Sequence, residues 1–355
     1  MRVLLVTSSL SFICLLGCAR QLESEIAATA PEEGGVRWEA VVEGLSQPWG
    51  MAFLPDGGLL VTEKAGELLL VKDGKRVEVT GVPESALIGQ GGLMDVVLHP
   101  EYEQNGWLYL SYVSREGPGP GGNTAVARAR LQGDNLVDVQ LLYKASPNTR
   151  SGRHFGSRIV FDREGYLYFA IGDRGARDEN PQDISKDGGK IYRLHDDGRI
   201  PEDNPFKGEG EAKEAIFSFG HRNPQGMALH PETGEIWIHE HGPKGGDEIN
   251  VVQAGENYGW PVVTFGVNYS GTVITEDTGA PGMEDPIFYW TPSIAPSGMA
   301  FVTSDLYPGW QDSLLVGSLK FAYLERLTLQ DGAVVAREKL LEGIGRLRDV
   351  RQGPD

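Results

Sequence analysis

Four groups of residues in this chain carry side chains able to do chemistry. Arg153-His154-Phe155-Gly156 and Gly172-Asp173-Arg174-Gly175 stand on either side of one apolar strand–turn–strand stretch, so pairing of those strands would bring His154 to Asp173. A histidine held by a carboxylate is the usual construction of a general base, because the carboxylate fixes the tautomer and stabilises the imidazolium. By spacing alone, a structural hydrogen bond fits as well. His221-Arg222-Asn223-Pro224-Gln225-Gly226 is a dense polar group, in which Arg222 and Asn223 suit carboxylate and carbonyl oxygens or the stabilisation of their own loop. Asp247 and Glu248 follow the Gly-rich run Gly242-Pro243-Lys244-Gly245-Gly246, with Asn257-Tyr258-Gly259 a little beyond. Adjacent carboxylates with carbonyls nearby offer the oxygen ligands that Ca²⁺ prefers, in a spacing unlike an EF-hand; a solvated acidic loop is the rival reading. The fourth group is cationic: Lys320, Arg346 and Arg348. Positions two apart in a strand share a face, so both arginines could enter one cleft. Three cations in an acidic chain suit a ligand with several carboxylates, or else ordinary surface ion pairs.

What positions these groups is a repeated hairpin. A short apolar strand, a Pro or Asp, a Gly turn and a second apolar strand occur at Met51–Val61, Val96–Leu110, Ile159–Tyr168, Met227–Trp237 and Met299–Val316. A sixth copy begins at Arg348-Asp349-Val350 and has no second strand before Asp355. Runs of β-branched and aromatic residues joined by Gly-containing turns read as hairpins. No single hairpin buries both of its faces, so radial stacking must supply the core. The expected fold is an all-β, six-bladed β-propeller whose last blade is cut at the C-terminus. Every chemical group above lies in a loop between copies, and such loops gather at one end of a propeller axis.

Composition agrees with this. Gly makes up 48 of 355 residues, about twice the usual ~7% share, as suits a chain of many tight turns. A net charge of −18 repels nucleic-acid phosphate and anionic lipid, which removes both from the list of partners. At the N-terminus Arg2 precedes an apolar run, Val3 to Leu16, too short for a membrane span and suited to a signal-peptide core. The run ends in Leu15-Leu16-Gly17-Cys18, which resembles a bacterial lipobox with Cys18 as the lipidated residue. The expected organisation is a leader over residues 1–18, a flexible tether over 19–36 and a catalytic propeller over 37–355. The implied location is outside the cytoplasm, periplasmic or anchored to the outer membrane. Cys14 and Cys18 are the only cysteines, so the propeller has no disulfide.

From about Val41 onward the chain resembles the PQQ-dependent soluble aldose sugar dehydrogenases of the glucose/sorbosone dehydrogenase family. The resemblance rests on Gln47-Pro48-Trp49-Gly50, Gly89-Gln90-Gly91-Gly92-Leu93, Gly172-Asp173-Arg174-Gly175, Gly189-Lys190-Ile191-Tyr192-Arg193 and Gly220-His221-Arg222-Asn223-Pro224-Gln225-Gly226. Glu240-His241-Gly242-Pro243, Asp247-Glu248-Ile249-Asn250, Asn257-Tyr258-Gly259-Trp260-Pro261 and Arg346-Leu347-Arg348-Asp349 complete it. The resemblance implies His154 as catalytic base and Asp173 as the carboxylate orienting it. It implies Gln90, Arg222, Asn223, Gly242, Pro243, Thr264, Lys320, Arg346 and Arg348 around the quinone PQQ. It implies Ca²⁺ on the carbonyls of Gly242 and Pro243, and a second, structural Ca²⁺ near Asp247, Glu248 and Tyr258. His241 stands where some glucose dehydrogenases have Gln and is similar to the aldose-dehydrogenase branch. The implied reaction oxidises an aldose to a lactone, with electrons passed to an exported acceptor, and some relatives are homodimers. Two other functions stay compatible with the residues alone, a Ca²⁺-dependent propeller lactonase and a non-enzymatic binding propeller.

Overall fold

A computed structural model describes residues 36–354. Twenty strands form five antiparallel four-stranded sheets among these residues. The first blade runs β1 (Pro48–Phe53), β2 (Leu59–Glu63), β3 (Leu68–Lys72) and β4 (Lys75–Val79). The second has β5 (Leu93–Leu98), β6 (Trp107–Ser114), β7 (Asn123–Gln132) and β8 (Asn135–Lys144). The third has β9 (Ile159–Phe161), β10 (Leu167–Ile171), β11 (Lys190–Leu194) and β12 (Ile216–Phe219). The fourth has β13 (Pro224–Leu229), β14 (Ile236–Glu240), β15 (Asp247–Val252) and β16 (Phe288–Trp290). The fifth has β17 (Pro296–Phe301), β18 (Ser313–Ser318), β19 (Leu324–Gln330) and β20 (Ala333–Leu340). Each sheet is a meander in sequence order, and the five repeated phrases supply the first two strands of each blade.

The expectation of six blades is corrected to five. Residues around the sixth phrase form no sheet of their own and lie between the fifth blade and the first. Gly298 N–H donates to the Arg348 carbonyl at 3.1 Å, and Met51 N–H donates to Asp349 Oδ2 at 3.2 Å. The phrase therefore marks an innermost segment, and a whole blade does not follow from it. The leader, Cys18 and the tether up to residue 35 lie outside the described residues. Val36, placed in the tether by sequence, is buried against Val302, Trp310 and Leu315 of the fifth blade.

The core is a set of layers between neighbouring blades. Leu60 and Leu68 of the first sheet pack with Leu93 and Leu110 of the second. Tyr109 of the second meets Phe161 and Phe169 of the third, and Ile191 meets Met227 and Ile238 of the fourth. Trp237 and Trp290 of the fourth pack on Met299 and Leu314 of the fifth. Leu347 and Val350 then complete a layer with Leu315 and Leu324. Each such buried side chain contributes about 1.5–3 kcal/mol relative to exposure, so the blades hold one another through these shared layers.

Neighbouring blades touch through their first strands, with β1 against β5 and β13 against both β9 and β17. Four of these inner strands carry a register irregularity near their start, at Pro48/Met51, Leu93/Val96, Pro224/Gly226 and Pro296/Met299. A bulge adds a residue to one strand and re-aims the side chains beside it. Trp49, Met94 and Gln225 sit inside three of these bulges, and all three face the same cavity.

Candidate active site

The cavity opens where the first strands begin and the second strands end. Its volume is about 400 Å³, and its wall combines Lys64, Arg346 and Arg348 with Gln90, Asn223, Gln225, His241, Trp49 and Tyr269. Among the described residues no carboxylate lines it, although the chain carries 50 acidic residues against 32 basic ones. Arg348 Nη1 donates to Gln225 Oε1 at 3.2 Å, and its guanidinium lies 5.6 Å from the centre of the Trp49 ring. Burial, then the neighbouring charges of Arg158 and Arg346, lowers the Arg348 pKa to about 9. A cavity of this kind lowers its own electrostatic cost by taking up an anion.

His154 stands beside this wall. Its backbone N–H donates to Gln90 Oε1 at 2.8 Å, and its neighbours Phe155 and Gly156 line the cavity. The backbone there is left-handed, φ +52°, a conformation that costs a non-glycine residue energy and recurs at functional sites. The ring reaches Asp173, with Nδ1 and Oδ1 2.6 Å apart. Asp173 Oδ1 also accepts Gly175 N–H at 2.6 Å, and Oδ2 accepts Trp260 Nε1–H at 2.9 Å. Burial alone would raise the Asp173 pKa. The hydrogen bond and charge of His154, with Arg222, outweigh it and keep the carboxyl below its ordinary value. An ionised carboxylate only accepts hydrogen bonds, so the proton of His154 is on Nδ1 and Nε2 keeps its lone pair. Burial, only partly offset by Asp173, holds the imidazole pKa below its usual value. His154 is thus a neutral, oriented base at neutral pH.

That depression fixes a pH dependence. A base with a lowered pKa stays unprotonated down to that pKa, so kcat/KM is expected to be level at neutral pH. It should fall as the pH drops through an apparent value below the ordinary 6.5 of histidine. A pH–rate profile with its acid limb at or above 6.5 would contradict this environment for His154.

A second polar centre adjoins the first, and His241 lines both. His241 Nε2–H donates to the Pro296 carbonyl at 2.6 Å, and burial takes the ring pKa down to about 3. Arg222 Nη1 donates to the carbonyls of His241 at 2.7 Å and Gly242 at 3.0 Å. Its backbone N–H and His221 Nδ1 both turn to the Glu240 carboxylate. Asp247 is buried and takes three backbone N–H groups as well as the Ser293 side chain. Its Oδ1 accepts Gly242 N–H at 2.8 Å, and its Oδ2 accepts Ile294 and Ala295 N–H at 2.7 and 3.0 Å. Glu248 has one side-chain partner, Asn250 Nδ2 at 3.3 Å. Burial and the nearby Glu240 carboxylate push its pKa well above the carboxylate range. Glu248, with so little compensation and a second carboxylate beside it, favours a cation in the small pocket it shares with Glu240, Thr264 and Tyr258. The Tyr258 hydroxyl itself donates to the Val251 carbonyl at 2.5 Å. Among the described residues, no three His, Cys, Asp or Glu side chains converge as a metal-holding group, so carbonyl oxygens would have to contribute.

The structure therefore brings Gln90, Asn223, Arg346 and Arg348 to one cavity beside His154 and Asp173. It places Arg222, Gly242, Glu248, Tyr258 and Thr264 around the adjoining pocket. Lys320 behaves differently. Its side chain is exposed, with Nζ donating to the Ser293 carbonyl at 3.1 Å, and only its neighbour Leu319 lines the cavity. Pro243 packs beside Gly266 and lines neither space. Trp49 and Gln225 lie in motifs that the sequence singles out without a role for either, while Lys64 and Tyr269 lie in none, although Lys64 had a signal. It is the first residue after β2, as His241 is after β14, and Asp173 follows β10 by two.

Comparison with known proteins adds to this geometry. A family model described as glucose/sorbosone dehydrogenase matches residues 45–355. The chain is 45% identical to the aldose sugar dehydrogenase YliI of Escherichia coli, over 90% of its own length and 88% of the relative. Among solved structures it is similar to the apo-form soluble aldose sugar dehydrogenase from Escherichia coli. That match has a TM-score of 0.84 and 44% identity, covering 88% of this chain and 91% of that one. It is also similar to the PQQ-bound form of aldose sugar dehydrogenase from Streptomyces coelicolor. There the TM-score is 0.73 with 30% identity, and the match covers 88% of this chain and 86% of the other.

Proposed function

The chain belongs to the glucose/sorbosone dehydrogenase family, and we propose that it oxidises aldose sugars to lactones using PQQ and Ca²⁺. The observation that carries this reading is the cavity with three cationic residues and no carboxylate, set directly beside a neutral His154 on Asp173. PQQ is a planar quinone with three carboxylates, and those residues fit its charge. Arg346 and Arg348 would hold carboxylates, Gln90 and Asn223 would donate to ring oxygens, and Trp49 would supply an apolar wall. The carbonyl of Gly242, in the pocket that His241 shares with the cavity, would face a calcium ion beside the quinone, and Glu248 with Tyr258 a second one that ties the loops together. When bound, the quinone supplies a hydride acceptor and the calcium ion polarises it.

The protein supplies the base and the orientation. His154 Nε2 takes the proton of the anomeric hydroxyl as that carbon gives up its hydride, which leaves the carbonyl of a lactone. Asp173 stabilises the imidazolium so formed and prevents the ring from turning. Arg222, fixed on two carbonyls and 5.3 Å from the centre of the Trp260 ring, closes the polar side of the site. A leader ending at Cys18 supports export and a lipid anchor, so the electrons would pass to an exported acceptor. The test is reconstitution: protein given PQQ and Ca²⁺ should reduce an artificial dye with aldoses, and protein given only one of the two should not. No turnover across a broad panel of aldoses by the fully loaded protein would reject the proposal.

A further inference from the structure

The cationic wall contains a residue that the sequence motifs do not single out. Lys64 follows β2 and reaches the cavity from the first blade, which neighbours the segment that carries Arg346 and Arg348. Its position is set by backbone on both sides. Lys64 N–H donates to the Gln47 carbonyl at 2.9 Å, and its own carbonyl accepts Leu93 N–H at 3.2 Å. Nζ donates to the Gly89 carbonyl at 3.0 Å, next to Gln90. Among the described residues, no carboxylate pairs with Lys64, Arg346 or Arg348, while Lys72, near Lys64 in sequence, pairs with Asp56 at 2.6 Å. Burial, and then the charge of Arg348, depresses the Lys64 pKa. An ammonium with one carbonyl partner, held within the field of a second cation, has unused donors and an electrostatic cost that only an anion relieves.

We propose that Lys64 is a third cationic anchor of the cavity, binding a carboxylate of the quinone cofactor from the first blade while Arg346 and Arg348 bind from the neighbouring segment. This rests on the PQQ reading given above. It also accounts for a cavity with three cations in which Lys320 takes no part of the wall: the third charge comes from the first blade. An ammonium–carboxylate contact in a partly desolvated site is a charge-assisted hydrogen bond, stronger than a neutral one.

Titration of calcium-loaded apo-protein with PQQ, followed by absorbance, tests it independently of turnover. Lys64→Gln should weaken PQQ binding by about 10- to 100-fold. Lys64→Arg should stay close to the wild type, and the paired surface variant Lys72→Gln should be unchanged. The neutral trimethyl ester of PQQ should bind Lys64→Gln and wild type alike, because the carboxylates have been removed. Lys64→Gln binding PQQ as the wild type does, while Arg348→Gln is weakened, would overturn the assignment. Equal losses for PQQ and its ester would overturn it too, by making Lys64 a packing residue. Absence of PQQ binding by the wild type would instead overturn the cofactor reading, and the Lys64 anchor with it.

Discussion

His154→Ala should lower kcat/KM for aldoses by about 10²–10⁴-fold while leaving PQQ affinity within a few fold. The side chain removed carries a free lone pair prepared by a buried carboxylate: Asp173 fixes Nδ1–H, and Trp260 and Gly175 fix Asp173. Gln90 bonds the backbone of residue 154, so the cavity wall survives the truncation. Stopped-flow reduction of the bound quinone isolates the chemical step from dye reduction. A His154→Ala enzyme that reduces its cofactor at the wild-type rate would remove His154 from the chemistry. Asp173→Asn should give a smaller loss, since the amide can still contact the ring but cannot stabilise its cation.

Arg158→Leu should cost about 3–5 kcal/mol of stability, because it strips a partner from buried carboxylates. Arg158 Nη1 pairs with Asp95 at 3.2 Å and with Asp349 at 2.8 Å, and all three side chains are buried. Nε donates to the Gln225 carbonyl at 2.7 Å, and Nη2 to the Arg348 carbonyl at 3.0 Å. One guanidinium therefore joins the second, third and fourth blades to the segment that carries Arg348. Arg351 bonds the same two aspartates at 2.6 and 3.0 Å and would absorb part of the loss. Chemical denaturation should show an earlier midpoint, and the surviving folded protein should bind PQQ more weakly, since Arg348 is held by the same network. An unchanged midpoint would mean that the Asp95–Arg158–Asp349 cluster contributes no net stability.

The inner half of each blade was legible in the sequence because its signal is local. Met51–Phe53 and Leu59–Val61, or Met227–Leu229 and Ile236–Trp237, are apolar runs around a Gly turn, and they became β1–β2 and β13–β14. The outer strands were less visible: β4 and β20 are mostly exposed and carry mixed polar sequence. The count failed because Arg348-Asp349-Val350 repeats the inner phrase without hydrogen-bonded partners to make a blade. His154 and Asp173 were legible from their places around one hairpin, and their 2.6 Å contact follows from β9–β10 pairing. Asp247 resembles a metal ligand in sequence because a carboxylate in a Gly-rich loop looks alike whether it binds a cation or backbone N–H groups. In the folded chain three backbone N–H groups donate to it. Tyr269 was hidden for the opposite reason, since nothing in its own segment distinguishes a cavity wall from open surface, and Lys64 carried only the signal of its place directly after β2.

The most direct test is a single-turnover experiment without oxygen or dye. Protein loaded with one equivalent of PQQ and with Ca²⁺ is mixed with an aldose, and the cofactor spectrum is followed. The predicted result is saturable binding at one PQQ per chain, then stoichiometric reduction of the bound quinone with release of one lactone. Saturable binding of PQQ with no reduction by any aldose, or no binding at all, would contradict a sugar dehydrogenase built on His154 and this cationic cavity.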